Sequence, residues 1–83
     1  MRYDENWAVA PERAAAFFRA QADMREQDGV FLFGKCRIML LPIEGRAMGK
    51  WKLARTQVII EGDDADAREI HRRFFLRFLS AGG

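Results

Sequence analysis

The sequence contains very little cysteine and histidine, and this shortage excludes several kinds of site. Cys36 is the only cysteine among the 83 residues, so a disulfide within one chain is impossible. Secreted domains of this size usually carry paired cysteines, which makes a reducing compartment the expected location. A structural zinc site needs about four Cys or His ligands, and the chain has one of each. We therefore expect neither a metal nor a cofactor.

The chain also lacks a long apolar run. Lys35 and Arg37 interrupt its longest apolar stretch, which falls well short of the ~20 residues that a membrane-spanning helix needs. Asp4 and Glu5 stand where a signal peptide would begin its apolar segment. These features predict a cytoplasmic protein with no membrane contact. The excess of arginine over lysine is typical of a GC-rich bacterial genome.

The residues that are present indicate one folded domain over 1–83. Hydrophobic residues make up 49% of the chain and charged residues 31%, a balance typical of globular sequences and not of disordered ones. A chain of this length buries only roughly 60–65% of its unfolded surface, so its core is thin. Because small domains without disulfides or metals commonly gain stability by association, we expect a homodimer.

Two helices are predicted, one on each side of a central apolar region. Pro11 suits a first helical position and Gly29 suits a C-terminal cap, which predicts a first helix over about 11–26. The second helix follows Asp63 or Asp64, either of which can cap its free backbone N–H groups. By 100° steps its apolar face contains Ala67, Ile70, His71, Phe74, Phe78 and Ala81.

Two strands are predicted between the helices. Apolar, β-branched and aromatic residues over Val30–Leu41 and Trp51–Ile60 favour extended structure, and a loop over Pro42–Lys50 joins the strands into an antiparallel hairpin. The predicted fold is α+β with the order helix–strand–strand–helix, and both helices pack on one face of the hairpin. An isolated two-stranded ribbon leaves its edges and one face open, so we expect a second chain to complete or cover the sheet.

Alternation along the two strands separates an uncharged face from a mixed one, because successive side chains point to opposite sides. A symmetric loop would put Leu41 opposite Trp51 and Arg37 opposite Arg55, which is an unfavourable like-charge pair. The uncharged face, which we expect the helices to cover, carries Val30, Leu32, Gly34, Cys36, Ile38, Leu40, Ala54, Thr56, Val58 and Ile60. The outer face carries Phe31, Phe33, Lys35, Arg37, Met39, Leu41, Trp51, Leu53, Arg55, Gln57 and Ile59.

Positive charge is concentrated in the same hairpin. Residues 30–60 carry six basic groups and one acid, a net charge of +5, whereas 1–29 carry a net −2 and 61–83 a net −1. A chain with a formal net charge of only +2 therefore contains a basic segment that can attract anions locally.

The isolated polar candidates have structural explanations. His71 falls on the apolar face of the second helix, where a packed histidine is commoner than a catalytic one. Cys36 lies on the face that we expect to be buried and is interpreted as a small core residue. Asp63, Asp64 and Asp66 begin like a calcium-binding loop, but the glycine and glutamate that such a loop needs further on are missing, so helix capping explains them more simply.

Three classes of function remain open, and no residue motif identifies a family. The first is a non-enzymatic homodimeric interaction or adaptor module, with dimer contacts at Phe31, Phe33, Met39, Trp51, Leu53 and Leu76. The second is binding of nucleic acid or another anionic partner through aromatic stacking and the cations Lys35, Arg37, Arg46, Lys50, Lys52 and Arg55. A small enzyme is the third class and has the least support. No acid–base–nucleophile set is visible, so no catalytic residue is assigned.

Overall fold

The computed structural model describes residues 1–43, 47–48, 51–52 and 54–79, with backbone alone at 47–48 and 51–52. These residues form seven strands and two helices. In chain order they are β1 (Arg2–Trp7), α1 (Pro11–Arg19), β2 (Met24–Gln27), β3 (Val30–Phe33), β4 (Cys36–Ile43), β5 (Ala47–Met48), β6 (Trp51–Lys52), β7 (Arg55–Gly62) and α2 (Asp64–Phe78).

Five of the strands form one antiparallel sheet in the order β1-β7-β4-β3-β2. Both helices pack on one face of this sheet, which makes an α+β architecture of two layers. The predicted class is therefore confirmed, but the predicted two-stranded hairpin is wrong. The strands β1, β2 and β3 flank the hairpin of β4 and β7, so the chain completes its own sheet.

The predicted single strand over Val30–Leu41 is two strands joined by a turn at Gly34 and Lys35. Phe33 pairs with Cys36 across this two-residue loop, and Gly34 has φ +56°, as the first position of a type II′ hairpin turn requires. Residues that flank a two-residue loop point to the same face of the sheet. The alternation therefore shifts by one residue at the turn, and odd-numbered residues of β3 share a face with even-numbered residues of β4.

The first helix ends at Arg19, so the prediction that it continues to residue 26 is wrong. Met24 begins β2 instead and pairs with Phe33. Asp28 and Gly29 form the turn between β2 and β3, with φ values of 53° and 78°. Two consecutive positive φ angles at an Asp-Gly pair are the signature of a type I′ hairpin turn. Gly29 therefore closes a hairpin and does not cap a helix.

The first seven residues supply the edge strand β1, for which the sequence analysis assigned no element. Tyr3 lies opposite Ile60 and Trp7 lies opposite Thr56, so alternate residues of β1 reach the core. The Thr56 hydroxyl donates a 2.6 Å hydrogen bond to the carbonyl oxygen of Val9. This bond satisfies a buried polar group and holds the segment between β1 and α1 against β7.

The core lies between the helices and the covered face of the sheet. Phe18 of α1 stacks on Phe74 of α2 with ring centroids 5.2 Å apart, and both side chains have no exposed surface. Ile38 and Ile60 form the sheet side of the core, as predicted. The predicted apolar face of α2 is confirmed at its four fully or almost fully buried members, Ala67, Ile70, Phe74 and Phe78.

The start of α2 is tied to the turn between β3 and β4. Asp63 caps the helix, as predicted, by accepting a 3.2 Å hydrogen bond from the backbone N–H of Asp66. Asp66 in turn accepts a 2.8 Å hydrogen bond from the backbone N–H of Lys35. One side chain therefore fixes the hairpin turn and the helix N-terminus relative to each other. A Cβ on Gly34 would collide with this carboxylate.

We expect Gly34→Ala to destabilise the fold more than Gly29→Ala. Both positions have positive φ, and an alanine there costs about 1 kcal/mol through backbone strain. At Gly34 the added methyl group also collides with Asp66, so the total loss should be about 2–3 kcal/mol. No atom lies within 4 Å of a Cβ placed on Gly29, which makes it the matched control. Urea denaturation measures the free energy of unfolding of both variants, and equal losses of stability would contradict the proposed clash.

Candidate functional site

The sheet face opposite the helices carries an apolar stripe centred on β4. Among the described residues no element covers this face. Leu41 is 46% exposed, whereas Ile59 on the adjacent strand is only 5% exposed because its neighbours on the sheet surround it. The apolar stripe consists of Val30, Leu32, Met39, Leu41, Ile43 and Ile59, which the strand register places on one face.

Charged side chains border the stripe, and the acidic ones are paired within the chain. Arg37 donates a 2.6 Å hydrogen bond to Glu61, and the Arg2 guanidinium lies 3.6 Å from the same carboxylate. The Gln57 amide donates to Asp4 at 2.8 Å. These contacts occupy Asp4 and Glu61, the two acids that the described strands place on the open face. The face is therefore left with a net positive border.

Two further arginines extend the positive border. Arg25 lies opposite Leu32 near the β2 edge, and Arg55 lies opposite Ile43 near the far end of β7. Neither forms an ion pair with another described residue. Both stay exposed or partly exposed, so their charges act on whatever approaches this face.

The predicted like-charge pair of Arg37 and Arg55 does not form. Arg37 faces Glu61, and Leu41 faces Gln57 instead of Trp51. The loop is longer than predicted because its tip contains a hairpin of its own, in which Met48 pairs with Trp51. Because of this extra pairing, the partner of Leu41 lies six residues further along the chain than predicted, at Gln57 and not at Trp51.

The residues predicted for the dimer contact do not form one surface. Phe31 and Phe33 are buried in the chain's own core, at 3% and 7% exposure, so the prediction that they face outward is wrong. Val30 and Leu32, predicted to face inward, take the outer positions instead. Met39 lies on the open sheet face as predicted.

The remaining dimer candidates lie elsewhere. Leu76 is exposed on α2, in the helical layer on the other side of the sheet, so it cannot share one flat contact with Met39. Trp51 belongs to β6, where the backbone alone is described, and Leu53 lies outside the described residues.

The residues predicted to contact an anion are also divided. Lys35 lies in the turn before β4 and Arg55 lies opposite the last residue of β4, a separation of roughly 26 Å along the strand. Arg37 is paired with Glu61. Lys52 belongs to β6, where only the backbone is described, and Arg46 and Lys50 lie outside the described residues.

The aromatic platform that would support nucleic-acid binding is not formed by the residues whose side chains are described. Phe31 and Phe33 point toward the helices, and Phe18 tilts against Phe31 with ring centroids 5.7 Å apart. Tyr3 stacks on a helix residue and Trp7 is buried. Among the residues whose side chains are described, the open face therefore presents aliphatic side chains and cations, without rings on which bases could stack.

His71 belongs to a polar cluster at the junction of β1 and α2. Its ring stacks on Tyr3 with centroids 3.9 Å apart, and its Nε2 lies 2.7 Å from a Glu5 carboxylate oxygen. The same oxygen accepts a 3.3 Å hydrogen bond from the Trp7 indole N–H. The sequence pattern was not used to single out Tyr3, Glu5 and Trp7, although a spacing of two residues is typical of one face of a strand. The contacts attach α2 to the edge of the sheet.

Cys36 is buried beneath α2 and has an unreactive environment. Its side chain is only 5% exposed. Burial raises the pKa of its thiol to about 11, and the nearby carboxylates Asp66 and Asp63 act in the same direction. The thiol therefore stays protonated at neutral pH, which agrees with the interpretation of Cys36 as a core residue.

In the described ranges no group of three or more His, Cys, Asp or Glu side chains is arranged to hold a metal ion. Neither α1 nor α2 is long and apolar enough to cross a membrane. The chain matches no protein-family profile and no curated protein sequence.

We expect Cys36 to react with a thiol reagent far more slowly in the folded protein than in the unfolded chain. A pKa of about 11 leaves about one thiolate in a thousand at pH 8, and burial restricts access further. Labelling with an aromatic disulfide should be about 100-fold slower in buffer than in 6 M urea at the same pH. Equal rates under the two conditions would show that the thiol is exposed.

Proposed function

We propose that this protein is a non-enzymatic homodimeric interaction module whose two copies meet through the open sheet face. The observation that carries the proposal is the apolar stripe on an uncovered antiparallel sheet. Such sheets usually alternate apolar residues toward the core with polar residues toward water. Here the outward positions of β4 are Arg37, Met39, Leu41 and Ile43, so three of the four are apolar.

The edges of the sheet are poor alternatives for self-association. Asp4 and Glu5 occupy the middle of β1, so antiparallel pairing of two copies of β1 would bring like charges opposite each other. At the other edge, β2 has only four residues, and its Glu26 carboxylate already accepts hydrogen bonds of 2.9 Å and 3.0 Å from Arg19. Charged and short edge strands of this kind resist pairing with another chain.

Face-to-face packing of two sheets suits the stripe. Aligned sheets pack about 10 Å apart with interdigitating side chains, and both copies would contribute the same apolar residues. Complete burial of a Leu, Ile or Met side chain contributes about 1.5–3 kcal/mol. Most of the stripe is already partly buried, and association costs at least ~4 kcal/mol. The dimer should accordingly be weak, with a Kd on the order of micromolar.

The border charges predict an unusual salt dependence. Each face carries Arg2, Arg25, Arg37 and Arg55 against Asp4 and Glu61, so two copies repel each other at low ionic strength. Salt screens exposed charges with a Debye length of about 10 Å at 0.1 M. The dimer should therefore become tighter between about 0.05 and 0.5 M salt.

We expect Leu41→Lys to weaken the dimer at least tenfold. A lysine at this 46% exposed position places a cation within the apolar stripe, in addition to the arginines on its border, without disturbing the monomer core. Leu76→Lys is the matched control, because Leu76 is 60% exposed on α2 and lies in the other layer. Sedimentation equilibrium over a range of concentrations measures both dissociation constants. A concentration-independent monomer, or a larger effect of Leu76→Lys, would refute dimerisation through the sheet face.

Nucleic-acid binding is the alternative proposal, supported by Arg25 and Arg55, which have no acidic partner among the described residues. It predicts the opposite salt dependence, because neutralisation of phosphates releases counterions and binding weakens as salt increases. Fluorescence anisotropy with labelled single- and double-stranded oligonucleotides tests it. Binding at 0.05 M salt that is lost in Arg55→Gln and retained in Arg68→Gln would favour this alternative.

A further inference from the structure

A groove of about 460 Å³ runs between the two helices, in the layer opposite the apolar stripe. Phe17 supplies partly exposed aromatic surface to the groove, Phe78 lies almost fully buried at its floor, and the small side chains Ala16 and Ala20 leave it open along α1. Phe17 contacts Phe78 edge-on, with ring centroids 5.7 Å apart. The remaining lining residues are Arg13, Gln21 and Arg77.

Two arginines from different helices converge on the same ring in this groove. The guanidinium carbon of Arg13 lies 5.6 Å from the centroid of Phe78, and that of Arg77 lies 5.0 Å from it. Neither arginine forms an ion pair with an acid in the part of the chain that the structure describes. The groove is therefore positively charged above an apolar floor.

The neighbouring arginines show that this lack of partners is not a general property of the helices. Arg19 on α1 pairs with Glu26, and Arg73 on α2 pairs with both Asp23 and Glu69. The acids nearest the Gln21 end are therefore occupied, and Arg73 also donates a 3.3 Å hydrogen bond to the Gln21 amide oxygen. At the other end, no acid of the described residues pairs with Arg13 or Arg77.

An acidic extended peptide matches this arrangement. Side chains two residues apart in an extended chain lie on the same side at a spacing of ~7 Å, which suits two carboxylates that bind two neighbouring guanidinium groups. Arginine binds a carboxylate through paired charge-assisted hydrogen bonds. Apolar residues of the same peptide would contact the partly exposed ring of Phe17 and the open surface beside Ala16 and Ala20.

We propose that the groove between α1 and α2 binds an acidic, extended segment of a partner protein, with carboxylates on Arg13 and Arg77. The inference does not depend on dimerisation. If two copies associate through their sheet faces, however, both helical layers point outward and the dimer offers two equivalent grooves. The protein would then act as a bivalent adaptor that links two copies of an acidic partner.

Binding of a defined peptide tests this proposal. The probe is a fluorescein-labelled peptide of sequence ELEFELE, and its uncharged counterpart QLQFQLQ is the control for charge recognition. In fluorescence anisotropy at 0.05 M salt, ELEFELE should bind the wild-type protein at least tenfold more tightly than QLQFQLQ. Its affinity should decrease as salt screens the ion pairs, whereas the sheet-face dimer should become tighter.

Matched variants identify the groove as the binding site. Arg13→Gln and Arg77→Gln should each weaken ELEFELE binding about tenfold, as expected for loss of a charge-assisted hydrogen-bonded pair. Arg68→Gln removes the same charge from an exposed position on α2 outside the groove. This variant should bind ELEFELE with the affinity of the wild-type protein. Circular dichroism and urea denaturation confirm that each variant is folded.

Four results would overturn the proposal. ELEFELE and QLQFQLQ binding with equal affinity would exclude recognition of carboxylates, and so would the absence of binding at millimolar peptide. An equal effect of Arg68→Gln and Arg77→Gln would show that net charge alone attracts the peptide. Displacement of ELEFELE by a single-stranded oligonucleotide of higher affinity would identify the groove as a nucleic-acid site. The monomer–dimer equilibrium is measured separately, so failure of the groove and failure of the sheet-face dimer are distinguishable.

Discussion

The turn at Gly34 and Lys35 is the constraint on which most of this structure depends. Gly34 adopts a positive φ that a two-residue hairpin requires, and the backbone N–H of Lys35 donates to Asp66 in the first turn of α2. Because the turn has two residues, Phe33 and Cys36 point to the same face. This one feature places the large rings of β3 on the core side together with Ile38 of β4, and it leaves Met39, Leu41 and Ile43 on the outside.

The two surfaces proposed for binding follow from that arrangement. With Phe31 and Phe33 turned toward the helices, the outer face keeps an aliphatic stripe, and these two rings are not available there to stack on bases. The acids of this face are occupied by Arg2, Arg37 and Gln57. Phe31 and Phe33 fill the core beneath the helices. A groove lined by Phe17 and Phe78 lies between α1 and α2. The sheet layer therefore offers an aliphatic contact surface. The helical layer offers two arginines, Arg13 and Arg77, that lie over the ring of Phe78.

The candidate surfaces could be predicted from sequence only in part. Met39 and Arg55 were placed correctly on the outer face, because each lies on a strand whose local alternation was interpreted correctly. Phe31 was placed on the wrong face, because a single strand was assumed across the turn at Gly34. The groove at Arg13 and Arg77 was not predicted, since these residues are 64 positions apart in the chain and meet only after the helices pack.

The amino-acid sequence by itself determined the local features of this protein. Pro11 marked the start of α1, the Asp63-Asp64 pair marked the cap of α2, and the spacing of apolar residues identified the buried side of α2. These features depend on contacts within a few residues, which local chemistry decides. The Asp28-Gly29 turn was equally local and readable, although it was interpreted as the end of a helix.

Only the tertiary structure decided which strands are neighbours and which faces are covered. The pairing of Arg37 with Glu61, and the position of β1 beside β7, join residues that are far apart in sequence. Register has a period of two, so a shift of one residue at a turn moves every following side chain to the opposite face. Which side chains a surface of this protein presents therefore depends on the alignment of neighbouring strands. That alignment cannot be read from any short stretch of the sequence.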